Sequence, residues 1–281
     1  MLLQHDRFLH ATGPVPFMVH RLTQPGFASV NTWAVETSDG LVAFDGQRSL
    51  SAGREVAQLL RALGKPLLAV LLTHPHPDHV GGLGEIMALN PDAPLLALAR
   101  TAEVVAADAQ GYFAASRQVL PGDYPEPGAM PRPTRLVSDG EAIQLAGLDL
   151  RLSEYRDVEA PCMLVTEVAG AGAVFAADMV EHGMTPFLVE GHVEGWLAAL
   201  GRMEPALPAG ATLYPGHGAA GAVPVLVAAQ RAYLRRALAL VAEGADDAAA
   251  LAALGREFPG FEPVAAIPDL AARNLAVLGG R

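Results

Sequence analysis

An apolar run in the first third of the chain ends directly in a cluster of metal-binding residue types. The run spans residues 67–72 and contains only leucine, alanine and valine, which is typical of a strand buried on both faces. The next residues are Thr73-His-Pro-His-Pro-Asp-His79, so three histidines and one aspartate lie within six positions. A fold that accepts this segment must place the end of a core strand beside a group of imidazole and carboxylate side chains.

The spacing of these residues favours two neighbouring metal ions. Imidazole suits zinc, and a carboxylate adds a harder oxygen ligand. Alternate residues of an extended segment point the same way, so His74 and His76 can hold one ion together. Asp78 and His79 begin the next turn and can face a second ion. The alternative is a solvated loop that happens to be rich in histidine, but such clustering directly after a core strand is rare by chance.

Composition excludes several other classes of protein. The chain has 281 residues, of which 51% are apolar, so it can bury a sizeable core and is not expected to be disordered. Its single cysteine, Cys162, excludes an intramolecular disulfide and a zinc cage built from thiolates. The net charge of −11 argues against nucleic acid as the main partner. Because no apolar run approaches the roughly 20 residues that span a bilayer, and residues 1–7 lack a signal-peptide pattern, we expect a soluble, cytoplasmic protein.

The periodicity of apolar residues predicts two groups of strands followed by helices, and hence two sheets covered by helices in one domain. Thr101 is a candidate N-cap, and residues 121–134, with five prolines and two glycines, are expected to form a long ordered loop or a lid. Strands are predicted at 17–22, 29–36, 41–45, 67–72, 95–98, 134–137, 142–145, 148–155, 163–168, 173–176 and 211–213. Helices are predicted at 51–63, 84–89, 101–117, 194–202, 223–243, 246–257 and 269–278.

Two positions in the second half of the chain are further candidate ligands. Asp178 follows an apolar strand, where a carboxylate can bridge two cations by offering one oxygen to each, or can instead cap the next segment. His217 lies between two glycines, so it is not expected to be a packed core histidine. A histidine in a surface turn is the alternative at that position.

Taken together, these motifs resemble those of the metallo-β-lactamase fold superfamily. The resemblance covers about residues 15–220 and implies an α/β fold, a four-layer αββα sandwich with a two-metal site along its edge. Residues from about 221 to 281 would add helices to the same domain, which would then span residues 1–281. The segments that look like motifs of the superfamily are 31–32, 39–45, 73–82, 174–178 and 213–218.

The resemblance breaks at one ligand position. Most members carry a histidine between the first motif and the bridging aspartate, but residues 156–163 contain none. Glu159-Ala-Pro161 resembles the Glu-Ala-Pro segment of the alkylsulfatase branch, in which the glutamate replaces that histidine as a ligand. The alternatives are that Glu159 is a strand-end carboxylate without a metal, or that Asp157 is the ligand in a shifted register. The resemblance assigns His74, His76 and Glu159 to a first metal, Asp78, His79 and His217 to a second, and Asp178 to a bridge between them.

The activity that this resemblance implies is hydrolysis of an ester-like bond in a small molecule. A hydroxide bridging two divalent metal ions would attack a thioester, lactone, sulfate ester, phosphate ester or β-lactam; zinc is expected, and iron or manganese tolerated. Asp78 and Asp178 are the candidate catalytic carboxylates, and His182 and Tyr155 are candidate substrate contacts. We expect neither nucleic acid nor membrane as a partner. Whether the chain forms a homo-oligomer is left open. The alternatives are an iron-dependent oxidoreductase similar to the superfamily's sulfur dioxygenases, and a metal-binding domain without catalysis.

Overall fold

The computed structural model describes residues 3–11, 13–26, 29–108, 111–265 and 267–280, and the first two residues of the signal-peptide argument lie outside them. The described strands are β1 (Gln4–His10), β2 (Phe17–Thr23), β3 (Asn31–Glu36), β4 (Leu41–Phe44), β5 (Leu67–Leu71), β6 (Leu95–Leu98), β7 (Arg135–Val137), β8 (Ala142–Leu145), β9 (Leu148–Arg156), β10 (Cys162–Val168), β11 (Ala173–Ala177), β12 (Thr212–Pro215) and β13 (Gly221–Ala222). The described helices are α1 (Leu50–Ala62), α2 (Pro77–Val80), α3 (Leu83–Met87), α4 (Ala99–Ala107), α5 (Tyr112–Val119), α6 (Val193–Ala206), α7 (Val223–Ala242), α8 (Asp247–Glu257) and α9 (Leu270–Leu278).

Two sheets form the centre of the fold. The first has the strand order β1-β2-β3-β4-β5-β6-β7; it is antiparallel from β1 to β4 and parallel from β4 to β7. The second has the order β13-β12-β11-β10-β9-β8, and in it the β11–β12 pair is parallel while the other described pairs are antiparallel. Because parallel neighbours end at the same edge, the chain segments that follow β4, β5, β11 and β12 are the ones placed to build a site there.

The sheets pack face to face, and each outer face is covered by helices. Between the sheets, Phe44 of β4 stacks on Phe175 of β11 with ring centroids 4.1 Å apart. Leu60 of α1 is buried against the outer face of the first sheet. Trp196 of α6 and Leu234 of α7 are buried against the second. This arrangement of helix, sheet, sheet and helix confirms the predicted αββα sandwich.

Strand β1 and the region 101–117 differ most from what the sequence pattern predicts. Strand β1 was not predicted, because its residues are mostly polar and exposed; among the described strands it pairs with β2, at the edge of the sheet. The predicted helix at 101–117 is instead two helices, α4 and α5, and residues 109–110 of it lie outside the described part. The break follows from Asp108, which has a φ of 44° and whose carboxylate accepts the backbone N–H groups of Phe113 and Ala114 at 3.0 and 3.1 Å.

Thr101 is not the N-cap that was predicted, since α4 begins two residues earlier at Ala99. Its hydroxyl is buried and lies 3.2 Å from the Cys162 Sγ at the start of β10, so it connects α4 to the second sheet.

In the region 121–134 the structure has neither helix nor strand, and the Tyr124 hydroxyl donates to the carbonyl of Pro77, which anchors this loop beside α2. None of the helices in the described ranges combines the length and the apolar character that crossing a membrane requires.

Cys162 provides a test of this packing. Its side chain is fully buried, and burial raises the pKa of the thiol to about 11. Because the thiolate is the reactive form, we expect the folded protein to resist a thiol reagent such as dithionitrobenzoate at mildly alkaline pH, and one thiol to react in denaturing guanidinium chloride. Absorbance of the released chromophore measures both. Rapid reaction of the native protein would contradict the position of β10 against α4.

Candidate metal centre

The seven candidate ligands come from distant parts of the chain and meet at one edge of the sandwich. They follow β5, β11 and β12, and one lies in the turn between β9 and β10. Three buried or partly buried groups of possible ligand atoms result, and within each group these atoms lie within 4.8 Å of one another. The groups are His74, His76, Glu159 and Asp178; Asp78, His79 and His217; and Asp45, His74 and His79.

The first group forms the first of two neighbouring sites. His76 Nδ1 lies 2.9 Å from Glu159 Oε1, and His74 Nε2 lies 3.8 Å from Glu159 Oε2. The Oδ2 atom of Asp178 is 3.5 Å from His74 Nε2. All four side chains are buried, so the donor atoms face one another in a space from which bulk water is largely excluded.

The second group lies on the other side of Asp178. His217 Nε2 is 3.3 Å from Asp78 Oδ2, and His79 Nε2 is 3.9 Å from the same oxygen. Asp178 Oδ2 is 3.2 Å from His79 Nε2 and 3.5 Å from His217 Nε2. One oxygen of Asp178 therefore lies within 3.5 Å of a nitrogen from each group, which is the position of a bridging ligand.

The spacing and the bonding of the donor atoms fit a pair of metal ions. Two ligands that are each about 2.1 Å from a tetrahedral ion lie about 3.4 Å apart, close to most of the separations above. Several of the donor atoms are buried and have no hydrogen-bond partner. Burying a polar atom without a partner destabilises the fold, and a bound cation would supply the missing partner. These atoms are His74 Nε2, His79 Nε2, Glu159 Oε2 and Asp178 Oδ1.

Asp45, which the sequence patterns did not single out as a site residue, orients two of the histidines. It accepts hydrogen bonds from the backbone N–H and the hydroxyl of Thr73 and, at 2.8 Å, from His79 Nδ1. Because the single hydroxyl proton of Thr73 goes to Asp45, His74 Nδ1 donates to Thr73 Oγ1 at 2.9 Å. Both rings therefore carry a proton on Nδ1 and direct Nε2 toward the cluster. In the sequence, Asp45 stands out only as the last residue of a strand and of segment 39–45, which resembles a motif of the superfamily.

The loop that carries His217 is held against the first sheet. The Asn31 side chain donates to the carbonyls of Pro215 and Gly218, and the Trp33 indole donates to Pro215 at 2.7 Å. Gly216 packs directly on the bridging carboxylate, since a Cβ atom added there would lie 1.8 Å from Asp178 Oδ1. A residue without a side chain is therefore required beside Asp178.

The turn between β9 and β10 places Glu159, and not Asp157, beside the other candidate ligands. Asp157 has a φ of 51° and its side chain is exposed, whereas Glu159 is buried two residues later. The backbone N–H of Val158 donates to Ala160 at 3.1 Å, which tightens the turn and brings Glu159 toward His76. The structure thus brings Glu159 to the cluster and leaves Asp157 outside it.

Opposite charges within the cluster change the protonation of the metal-free histidines. Burial lowers the pKa of His76, but the adjacent Glu159 carboxylate outweighs this and raises the pKa to about 10. Burial also acts to lower the pKa values of His79 and His217, yet Asp178 holds both well above the ordinary range. Without cations the site therefore consists of imidazolium–carboxylate pairs, and a metal ion that binds must displace protons.

A cavity of about 490 Å³ opens above the cluster, and Glu181 is a further carboxyl group in its lining. Glu181, three residues after Asp178, is buried and its Oε2 atom has no hydrogen-bond partner. Burial raises the pKa of Glu181 well above its ordinary range, and the nearby carboxylates of Asp178 and Glu159 add to this effect. No pattern in the sequence distinguishes Glu181, because its role depends on the fold of residues 178–181.

The two candidate substrate contacts lie away from this cavity. His182 is exposed and its Nδ1 atom is 2.8 Å from the carbonyl of Ala219. Tyr155 is buried among the apolar residues between the second sheet and its helices, with the Arg202 guanidinium 6.0 Å from the ring centroid. Neither is among the described residues that line the cavity.

Comparisons with known proteins agree with this geometry. The sequence model of the metallo-beta-lactamase superfamily matches residues 25–217. A beta-lactamase domain protein from Burkholderia ambifaria has a similar structure, with a TM-score of 0.68 and 19% identity over 98% of this chain and 87% of that one. A metallo-beta-lactamase from Pontibacter korlensis gives a TM-score of 0.63 and 15% identity over 82% and 99% of the two chains. TTHA1623, in a di-iron-bound form, gives a TM-score of 0.56 and 22% identity, and the match covers 73% of this chain and 95% of that one.

A relative in Bacillus subtilis (strain 168), the uncharacterized protein YobT, is 29% identical over 119 residues. The match covers 42% of this chain and 50% of YobT, so the chain spans about half the length of this relative. The likeness of the Glu159 segment to the alkylsulfatase branch stays a prediction.

Gly216→Ala tests the packing of the bridging carboxylate. The added methyl group would overlap Asp178 Oδ1, so we expect Asp178 to move and the protein to lose bound metal and the thermal stabilisation that metal supplies. Metal analysis and melting temperatures with and without a chelator measure both. Gly201→Ala is the matched control, because Gly201 lies within α6 with no atom within 4 Å of an added Cβ; this change should be neutral or stabilising by about 0.5–1 kcal/mol. Wild-type metal content in Gly216→Ala would contradict the arrangement.

Proposed function

Since the chain belongs to the metallo-β-lactamase superfamily, we propose that it is a metal-dependent hydrolase that cleaves an ester-like bond of a small molecule. The observation that carries this proposal is the set of buried, unpartnered ligand atoms at one end of an open cavity, whose lining includes Glu159 and Asp178 of that set. A structural metal site is normally closed by its protein ligands, whereas a catalytic site keeps access for water and substrate. The floor of this cavity has that access.

The chain would hold two divalent cations through the ligands already described. His74, His76 and Glu159 would hold one of them, since two histidines and one glutamate leave a coordination position open for the reaction. Asp78, His79 and His217 would hold the other, and Asp178 would lie between them. Bound cations at this position supply an acidified water at neutral pH and polarise the scissile bond.

We propose zinc as the metal, and iron is the alternative that has support. Imidazole nitrogens favour zinc, while three carboxylates among seven ligands give the site more oxygen character, which iron and manganese accept. The structural neighbour TTHA1623 in a di-iron-bound form is consistent with that alternative. With iron, the same ligands would suit an oxidoreductase, so metal identity separates the two functions.

Glu181 is the candidate proton donor to the leaving group. It lines the cavity and is buried, and burial favours the neutral, protonated form of a carboxyl group. A neutral carboxyl group with an unpartnered oxygen can give a proton to a departing alkoxide. His182, by contrast, is exposed and is not among the described residues that line the cavity.

Glu159→Gln tests the proposed metal ligand and the function together. The amide keeps the shape but loses the charge that attracts the cation, so we expect less bound metal and a loss of esterase or thioesterase activity of at least tenfold. The control is Glu167→Gln on β10, where the side chain faces Arg151 at 4.0 Å, away from the site. Metal analysis of protein purified without added metal should find zinc in the wild type. Unchanged metal and activity in Glu159→Gln would contradict the assignment, and iron with oxygen consumption would favour the oxidoreductase.

Glu181→Gln tests the proton donor. A nitrophenolate leaves without protonation but an alkoxide does not, so the loss of kcat should be at least tenfold greater for an alkyl ester than for the 4-nitrophenyl ester of the same acid. Steady-state kinetics on the two esters measures this ratio. Equal losses on both would assign Glu181 a structural role instead.

A further inference from the structure

The walls of the cavity differ chemically from its floor. The floor carries His76, His217 and the carboxylates of the metal centre. The walls come from three segments that supply no metal ligand: residues 112–120, residues 184–189, and residues 264–265 with 267–270. Most of the wall side chains are apolar, and Val119 leaves 57% of its surface exposed beside the opening. The apolar wall residues are Ala115, Val119, Leu120, Met184, Phe187, Val189, Val264, Ile267, Pro268 and Leu270.

The charged groups at the rim have partners within the protein. Arg273 lies 2.9 Å from Asp269, and Arg48 donates to the Gln24 side chain at 2.7 Å. Both arginines among the described lining residues therefore already have a partner in the protein. A substrate with a second anionic group would have to compete with these partners for either arginine.

The charge at the floor also disfavours an anionic scissile group. If two divalent cations were bound, the three carboxylate ligands would offset three of their four positive charges. A sulfate or phosphate ester would then meet a centre with little surplus positive charge to attract it. A neutral carbonyl carries no such penalty.

We infer that the substrate is a neutral carboxylic ester or thioester whose scissile carbonyl is attached to an apolar chain or ring. This inference rests on the proposed hydrolase function for the reaction, but the recognition of the apolar group rests on the walls alone. The carbonyl lies at the floor of the cavity, and the apolar group lies along α5 and against Phe187. The cavity of about 490 Å³ is within the range that encloses small organic ligands.

Binding of methyl ketones tests this recognition without any reaction. A 2-alkanone keeps the carbonyl and the chain but cannot be hydrolysed, and each methylene removed from water contributes about fourfold in affinity. We expect the dissociation constants of 2-hexanone to 2-decanone, from calorimetric titration, to fall about fourfold per added methylene. The same trend should hold for the metal-loaded protein and after dialysis against a chelator, because the walls contain no ligand.

Two neighbouring alanines of α5 provide the matched variants. Ala115 and Ala114 are both exposed, but only Ala115 is among the residues that line the cavity. Ala115→Phe should fill the space for the chain and reduce the dependence on length to less than twofold per methylene. Ala114→Phe should keep the wild-type dependence. No dependence on length in the wild type, or an equal dependence in both variants, would overturn the inference.

An activity series separates this inference from the proposed function. In 4-nitrophenyl esters from acetate to octanoate, kcat/KM should rise with chain length in the wild type and much less in Ala115→Phe. Ketone binding that depends on length, without hydrolysis of any ester, would support the apolar site and contradict the hydrolase. Hydrolysis without any preference for length, or faster turnover of octyl sulfate than of the octanoate ester, would overturn the assignment of substrate class.

Discussion

The whole site depends on the placement of one carboxylate among three histidines. Asp178 Oδ2 lies within 3.5 Å of a ring nitrogen of His74, His79 and His217, and each of these groups is buried. Buried charges are tolerated only when opposite charge lies close by, so the position of Asp178 is coupled to every one of its neighbours. Protons supply the positive charge in the metal-free state and cations replace them. This exchange explains why so many ionisable groups can share one small volume.

The two sheets make this concentration possible. Asp45, His74, Asp178 and His217 each follow a strand whose carboxyl end reaches the same edge. The β9–β10 turn, at the carboxyl end of β9, adds Glu159 at that edge. The stacked rings between the sheets hold the strand ends at a fixed separation, and the hydrogen bonds of Asp45 set the direction of two imidazoles. Rigid strands therefore carry the ligands, while the loops around them remain free to differ in shape and composition.

The metal centre could be predicted from sequence where the ligands are local or match a known motif. His74 and His79 lie in one short segment, so their spacing alone indicated a site, and most strands were predicted from their periodicity. Glu159 came from a resemblance, because nothing in its own surroundings marks it. Asp45 and Glu181 were missed, since each acts through contacts with residues far away in the chain. The break in the predicted helix at 101–117 was missed for the related reason that a backbone turn and two local hydrogen bonds outweigh helix propensity.

The apolar walls of the cavity are contributed by segments that hold no metal ligand. Side chains on the exposed face of α5, such as Ala115, can therefore change size without any shift of the imidazoles beneath them. The candidate metal ligands and the apolar wall residues thus lie in separate parts of the chain. For protein engineering, a small library confined to α5 would vary one wall of the cavity and leave the ligand-bearing segments unchanged.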